Sequence, residues 1–362
     1  MTETGIEKFR QKNAHKDAIV RMRYSPTGQF LVSADRSGEF MIWPGGNSRG
    51  SKRFCSSRST LTDVWFSEDE KLLFIGHQDG LLLIYEFPKI ELTAKVQLKP
   101  DRSDPSTILS GTSRPILDYV VMVVCPAGSP NVYVALEFRD FFSLSRNNFE
   151  VTNKSHIPGN IIEQVAVSPD GNRIFFGDDL GYIYRFLLPD MKMTLFAEHR
   201  ELVNGMTASM LPTKVEASTG IAALALSPDG LRLASTSYTG GVQIWDTQID
   251  SSQKENIRGS SAYAAKEPLQ KGRMRGVGFS PNSSSVITGN DDGTLEIWDY
   301  SAKSVIYHAN CQEGVRSLAV SLIDSKCAIG CRDGSIFLIP WLGADDPKQQ
   351  KVKNGWFQKL FI

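Results

Sequence analysis

The stretch Ser280-Pro281-Asn282-Ser283-Ser284-Ser285-Val286-Ile287-Thr288-Gly289-Asn290-Asp291-Asp292-Gly293-Thr294-Leu295-Glu296-Ile297-Trp298-Asp299 decides the fold. An apolar run holding Val277 and Phe279 precedes it, and Ser-Pro-Asn ends that run in a turn. Val286-Ile287-Thr288 is β-branched and extends as a strand. Asp291-Asp292-Gly293 predicts a hairpin turn, because Asp-Gly tolerates the positive φ that a tight turn demands. Leu295, Ile297 and Trp298-Asp299 return as the next strand.

The unit recurs along the chain. Its copies can be anchored on the residue that ends the apolar strand: Ser25, Ser67, Cys125, Ser168, Ser227, Ser280 and Ser321. Successive anchors are 42, 58, 43, 59, 53 and 41 residues apart. Positions six, three and one before the anchor are apolar, as in Ile19, Met22 and Tyr24, or Ile221, Leu224 and Leu226. A second strand, a turn and a third strand follow, closed by Trp43, Tyr85, Phe186, Trp245 or Trp298. A small sheet cannot bury both faces alone; stacking such sheets radially buries them, and closing the ring removes the edges.

This pattern resembles the WD-repeat (WD40-type) β-propeller family, whose blades take about 40–45 residues. The match is densest in Ser227-Pro228-Asp229-Gly230 with Trp245-Asp246, and in the stretch quoted first. It is thinnest in the third copy, where Cys125-Pro126 replaces Ser-Pro and Asp140-Phe141 replaces Asp-Gly. The resemblance implies an all-β, seven-bladed propeller. Residues 1–14 would supply a closing strand that completes the last blade. Blades are expected at about 15–58, 59–98, 115–155, 158–200, 220–262, 273–310 and 313–343, followed by a tail, 344–362. The family's His–Ser/Thr–Asp–Trp hydrogen-bonded set looks mostly absent. Turn aspartates match at Asp79, Asp292 and Asp333, and only blade 1 offers a histidine, His15, with Asp35 two residues early.

Forty basic and 40 acidic side chains leave no net charge. That argues against an obligate nucleic-acid or anionic-membrane surface. Five cysteines in so long a chain read as reduced thiols, with no disulfide frame and a cytoplasmic location expected, the nucleus left open. The longest apolar run, Tyr119 to Cys125, is far short of a membrane span. No phosphate loop, dinucleotide fingerprint, nucleophile elbow or zinc-protease motif is present, and the five histidines are scattered over different blades. No catalytic, cofactor or metal residues are assigned.

Candidate binding residues come from three places. Five residues before the anchors stand Val20, Thr62, Val120, Glu163, Ala222, Arg275 and Arg316, near the start of each innermost strand. Arg275 and Arg316 fall on adjacent blades and could clamp an acidic or phosphorylated peptide, with Glu163 across the ring as a counter-charge. The connection Glu198 to Thr219 carries Met206, Met210 and Leu211 without strong strand character. The tail places Trp356, Phe357, Leu360 and Phe361 among lysines, either to fold back on the propeller or to dock on a partner. Long insertions precede blades 3, 5 and 6, and would share one face if they lie between outer strand and next blade. The expected function is a non-enzymatic scaffold that binds other proteins or peptides within a larger intracellular assembly, with no sign of homo-oligomers. A propeller enzyme with an axial site, such as a metal-dependent lyase or hydrolase, and a nucleic-acid-binding propeller are the alternatives.

Overall fold

The computed structural model describes residues 10–12, 14–45, 50–56, 59–99, 119–126, 128–156, 161–188, 192–206, 212–248, 261–264, 273–299, 301, 304–323 and 326–340. Within them the secondary structure is all β. Blade 1 runs β2 (Ile19–Tyr24), β3 (Phe30–Asp35), β4 (Glu39–Pro44) and β5 (Lys52–Cys55) from axis to rim. Blade 2 is β6 (Leu61–Phe66), β7 (Leu72–His77), β8 (Leu81–Glu86) and β9 (Glu91–Gln97). Blade 3 is β10 (Val120–Val124), β11 (Asn131–Leu136), β12 (Asp140–Ser145) and β13 (Val151–His156). Blade 4 is β14 (Ile162–Val167), β15 (Arg173–Asp178), β16 (Tyr182–Leu187) and β17 (Lys192–Glu198).

A separate hairpin, β18 (Arg200–Met206) with β19 (Pro212–Ser218), precedes blade 5. Blade 5 is β20 (Ile221–Leu226), β21 (Arg232–Ser237), β22 (Val242–Asp246) and β23 (Ser261–Ala264). Blade 6 is β24 (Gly276–Phe279), β25 (Ser285–Gly289), β26 (Thr294–Asp299) and β27 (Ser304–Asn310). Blade 7 has β28 (Val315–Val320), β29 (Lys326–Cys331) and β30 (Ile336–Pro340) from the C-terminal end of the chain. Its fourth strand is β1 (Arg10–Gln11), paired as Arg10↔Phe337 and Gln11↔Ile336. The innermost strands neighbour one another around the ring, β28 meeting β2 at the seam.

Two expectations change. The connection before blade 5, read as lacking strand character, forms the β18–β19 hairpin with Val203 opposite Val215. The insertion before blade 6 is split by β23, so 249–260 falls between the third and outer strands and 265–272 after the outer strand. The condition for a shared face, every insertion lying between outer strand and next blade, is therefore not met.

The core lies between blades. Val32, Ala34, Phe40 and Ile42 of blade 1 pack on Leu61, Val64, Leu73 and Ile75 of blade 2. Phe40, Phe74, Phe141, Phe175 and Phe337 are fully buried, each contributing roughly 1.5–3 kcal/mol of apolar burial. Rim strands such as β9 and β13 are mostly exposed, which suits their Lys, Thr and Asn content.

The Ser-Pro signature has a local cause. The Ser227 hydroxyl accepts the Arg232 N–H at 2.8 Å and donates to Asp229 at 2.5 Å, while Asp229 accepts the Leu231 N–H at 2.9 Å. Ser67 with Asp69 and Ser280 with Asn282 repeat the arrangement. One hydroxyl and one acceptor two residues on thus satisfy a turn whose backbone would otherwise be left unpaired.

Blade 1 contains a complete His–Ser–Asp–Trp set, despite the early position of Asp35. The Trp43 indole N–H donates to Ser33 Oγ at 2.8 Å. Ser33 Oγ lies 2.7 Å from His15 Nε2, and His15 Nδ1 lies 3.1 Å from Asp35 Oδ2. Having accepted the indole proton, the Ser33 hydroxyl gives its own to Nε2, so Nδ1 carries the proton facing Asp35. Asp35 Oδ1 also accepts the N–H groups of Ser37 and Glu39 at 3.0 and 3.1 Å. A second set was not foreseen: Trp245 Nε1 donates to Ser235 Oγ at 2.8 Å, and that oxygen lies 2.7 Å from His199 Nδ1. The β18–β19 hairpin separates His199 from its blade in sequence, while the Thr219 N–H rejoins the His199 carbonyl at 3.3 Å.

Ser33→Ala would strand two buried groups, Trp43 Nε1 and His15 Nε2. It should lower unfolding free energy by about 2–4 kcal/mol, read from chemical denaturation. A pH series gives a second check. Burial alone would raise the Asp35 carboxyl, but the His15 and Ser37 hydrogen bonds outweigh it and hold it below the ordinary carboxylate value. A depressed carboxyl stabilises the fold above its unfolded pKa, and that stability is lost as pH falls through the folded value. The parent should therefore lose more stability than Asp35→Asn between about pH 5 and pH 3.

Candidate functional site

One backbone hydrogen bond, repeated seven times, builds the mouth where the innermost strands begin. In each blade the turn between second and third strands donates an N–H to the carbonyl just before the innermost strand. The pairs are Arg36 to Ala18 (3.1 Å), Gln78 to Thr60 (3.0 Å), Glu137 to Tyr119 (2.9 Å) and Asp179 to Ile161 (3.3 Å). Tyr238 to Gly220 (3.0 Å), Asp291 to Arg273 (3.1 Å) and Arg332 to Gly314 (2.9 Å) complete the circle. Two residues after each acceptor, six of the innermost strands carry a β-bulge, at Val20, Thr62, Val121, Glu163, Ala222 and Arg316. In blade 6 the ladder starts at Gly276 and Arg275 takes the same place. A bulge re-aims its side chain away from the regular alternation. The mouth therefore has an outer ring of turn residues and an inner ring of bulge residues.

Five of the six candidates named for the inner ring apart from Arg275 stand there as expected, and one is corrected. Blade 3 contributes Val121, while Val120 is fully buried. The anchor of that blade is Pro126, whose carbonyl accepts the Ser129 N–H at 3.1 Å, as Ser25 and Ser168 accept from Gly28 and Gly171. Choosing Cys125 shifted the register by one.

The charges on the two rings are segregated. Arg275 Nε donates to Asp291 Oδ1 at 2.8 Å, and Arg316 Nη1 lies 3.8 Å from the same oxygen. Burial pushes the Arg316 guanidinium down from its ordinary pKa, and Arg275, Arg36 and Arg332 push the same way while Asp291 opposes. Blades 6, 7 and 1 thus hold an arginine sector around a single shared carboxylate. On blades 3 and 4 the rings carry Glu137, Asp179 and Glu163. Glu163 is bridged by Arg273 at 3.0 Å, whose guanidinium stands 3.8 Å from the centroid of the Tyr238 ring. Burial, with Asp178 and Glu163 adding to it, raises the Asp179 carboxyl. Sequence reading took Asp291 and Asp179 as turn residues and gave neither a binding role. The available signal was the turn glycine: outer-ring residues stand two before Gly38, Gly80, Gly181, Gly240, Gly293 and Gly334.

The remaining candidates are not brought together with these. Thr62 Oγ1 donates to the Val120 carbonyl at 2.8 Å, tying blade 2 to blade 3. Met206 ends β18, opposite Pro212, and its side chain lies outside the described residues. Met210, Leu211, Trp356, Phe357, Leu360 and Phe361 also lie outside them. The hairpin itself joins His199 to Thr219, on the side of the ring where innermost strands begin. Toward blades 1–4 the mouth opens into a cavity of about 410 Å³, lined in part by Arg36, Thr62, Asp63, Glu137 and Glu163.

The histidines are held in separate hydrogen-bonded or ion-paired settings. His77 Nδ1 meets the Ser59 carbonyl at 3.2 Å, and burial lowers its pKa. His308 lies 3.3 Å from Glu296, and His156 lies 3.7 Å from Asp140. Cys125, Cys311, Cys327 and Cys331 are buried free thiols, and burial pushes Cys125 up to about 11. Among the described residues, no group of three or more His, Cys, Asp and Glu side chains is placed to hold a metal ion. Nor is any helix there long and apolar enough to cross a membrane.

The family model described as "WD domain, G-beta repeat" matches residues 7–44, 211–246 and 268–299. Those spans hold the closing strand with blade 1, then blade 5, then most of blade 6. The chain is thus a seven-bladed β-propeller, with WD40 repeats matched in three of its blades.

Proposed function

We propose that this propeller is a non-catalytic scaffold subunit that receives an acidic or phosphorylated segment of another protein at the strand-start mouth. WD40 propellers generally bind other proteins, which supports a protein partner. The observation that carries the specific reading is the sharing of one carboxylate, Asp291, by Arg275 and Arg316, with Arg36 and Arg332 close enough to influence Arg316. Two guanidinium groups on one carboxylate, with Arg36 and Arg332 near enough to act on Arg316, leave an excess of positive charge. A guanidinium fork matches carboxylate and phosphate oxygens in bidentate fashion. The bulge and the turn hydrogen bond hold the ring positions before any partner arrives, so little ordering opposes binding.

The test is direct binding of the full chain to acidic peptides with and without phosphoserine, followed by fluorescence anisotropy. Arg275→Ala with Arg316→Ala should weaken the selected peptide by at least about tenfold. It should also flatten the salt dependence, while thermal unfolding stays cooperative. Asp291→Asn, which removes the competing carboxylate, should tighten binding. Unchanged affinity in the folded double variant would overturn the reading.

A further inference from the structure

The interior of the channel carries a second cationic feature, on blade 1, beyond the arginine sector at the mouth. The cavity enclosed by the innermost strands has a volume of about 570 Å³, within the range typical of small-molecule sites, about 300–1,000 Å³. Its ionisable lining is unbalanced. Arg21, Arg23 and Arg275 line it, while the one lining carboxylate is Glu68, in the turn after β6. Arg275 is already paired with Asp291. The innermost strands of blades 4 to 7 contribute small or neutral groups at matching heights, including Gln164, Ala166, Ala225, Gly278 and Ala319.

Arg21 and Arg23 share the carboxylate of Asp63, itself buried. Arg21 Nε lies 3.2 Å from Oδ2 and Arg23 Nη2 lies 3.6 Å from Oδ1. The longer separation is outside hydrogen-bond range, and Asp63 Oδ1 also accepts the Val64 N–H at 2.7 Å. Among the described residues, the hydrogen bond Arg23 makes is from Nε to the Val64 carbonyl, at 2.9 Å. Its guanidinium is stacked on Trp65, with Cζ 3.4 Å from the ring centroid. The stack and the Nε bond fix the plane of the fork, and leave its Nη groups short of acceptors. Trp65 Nε1 is a further buried donor on this wall with no acceptor among the described residues. Burial, reinforced by Arg21 and opposed by Asp63, pushes Arg23 down to about 10. A guanidinium still charged at neutral pH, held rigid and under-compensated in a walled cavity, is stabilised by an anion beside it.

We propose that the channel binds a small oxyanion, through phosphate or carboxylate oxygens, against Arg23 and Arg21 on the wall formed by blades 1 and 2. The ligand is a small molecule because the cavity has that scale and lies inside the ring. This site does not depend on the peptide reading above, since Arg21 and Arg23 follow the ring position Val20 on blade 1 and lie on another blade than Arg275 and Arg316, although Arg21 also lines the cavity at the mouth.

The experiment is calorimetric titration of the full chain with inorganic pyrophosphate and, separately, citrate. Chloride is adjusted to constant ionic strength in both. Saturable binding of either at one site per chain is expected, and the preferred probe tells phosphate from carboxylate chemistry. Arg23→Gln should weaken it about tenfold. Asp63→Asn, which retains an oxygen for the Val64 N–H but removes the competing charge, should tighten it several-fold, an effect that damage to the fold does not produce. Lys95→Ala, on the exposed rim strand of blade 2, should leave it unchanged. No saturable binding of either anion up to about 10 mM would overturn the proposal. So would equal affinities for the parent, Arg23→Gln and Asp63→Asn.

Discussion

A ring of blades needs something to shut it, and here two residues do so. Arg10 and Gln11 pair with Phe337 and Ile336, joining the first strand of the chain to the last. Arg10 reaches the Asp333 carboxylate and stands 5.6 Å from the Phe337 ring centroid, so charge, stacking and backbone bonds act at one point. From there the chain crosses to blade 1, and the His15 N–H donates to the Gly334 carbonyl at 3.0 Å. Gly334 has φ +78°, and any side chain there would collide with the His15 carbonyl. The seam is therefore tight, and the arginine sector straddles it. Arg316 and Arg332 belong to the last blade and Arg36 to the first. Their proximity exists only while the ring is shut.

The same backbone logic that stacks the blades also displays side chains. A turn N–H bonded to the carbonyl before the innermost strand fixes the height of the outer ring. The bulge two residues later turns one side chain out of the alternation that buries its neighbours. Neither device depends on what the side chain is. Val20 and Ala222 occupy the ring as readily as Glu163 and Arg316. The scaffold thus separates stability from recognition: apolar residues between blades hold the fold, while ring positions are free to vary in charge.

How much of this was legible follows from what repeats. Turn–strand–turn–strand periodicity names the fold, because the Ser hydroxyl and the turn Gly are local requirements that the sequence must meet in each blade. The closing strand is legible for a related reason, since the last copy supplies only three strands. The failures are non-local. His199 completes a set in blade 5, but the hairpin β18–β19 stands between it and Ser235 in sequence. Asp35 looked too early to serve His15, yet one carboxylate can accept from the following turn with one oxygen and from the imidazole with the other. In blade 3 a proline carbonyl took the role of serine, and the anchor slipped by one residue. Asp291 lay in the stretch that decided the fold, and its turn position hid its pairing with two arginines.

Net neutrality concealed the feature on which the proposed binding rests, because the charges are balanced in number and segregated in space. Segregation costs energy unless the structure holds the like charges in place, and blade 1 is built to do so. It has the full chain of hydrogen bonds from Trp43 through Ser33 and His15 to Asp35, and it also carries Arg21, Arg23 and Arg36. Three cations on one blade repel each other and would loosen a floppy sheet. A buried, fully satisfied network resists that loosening. Rigidity and positive charge therefore coincide on blade 1 for a physical reason. Arg21 and Arg23 are thus fixed to a sheet that resists relaxing away from them, and the proposed anion would supply the compensation they lack.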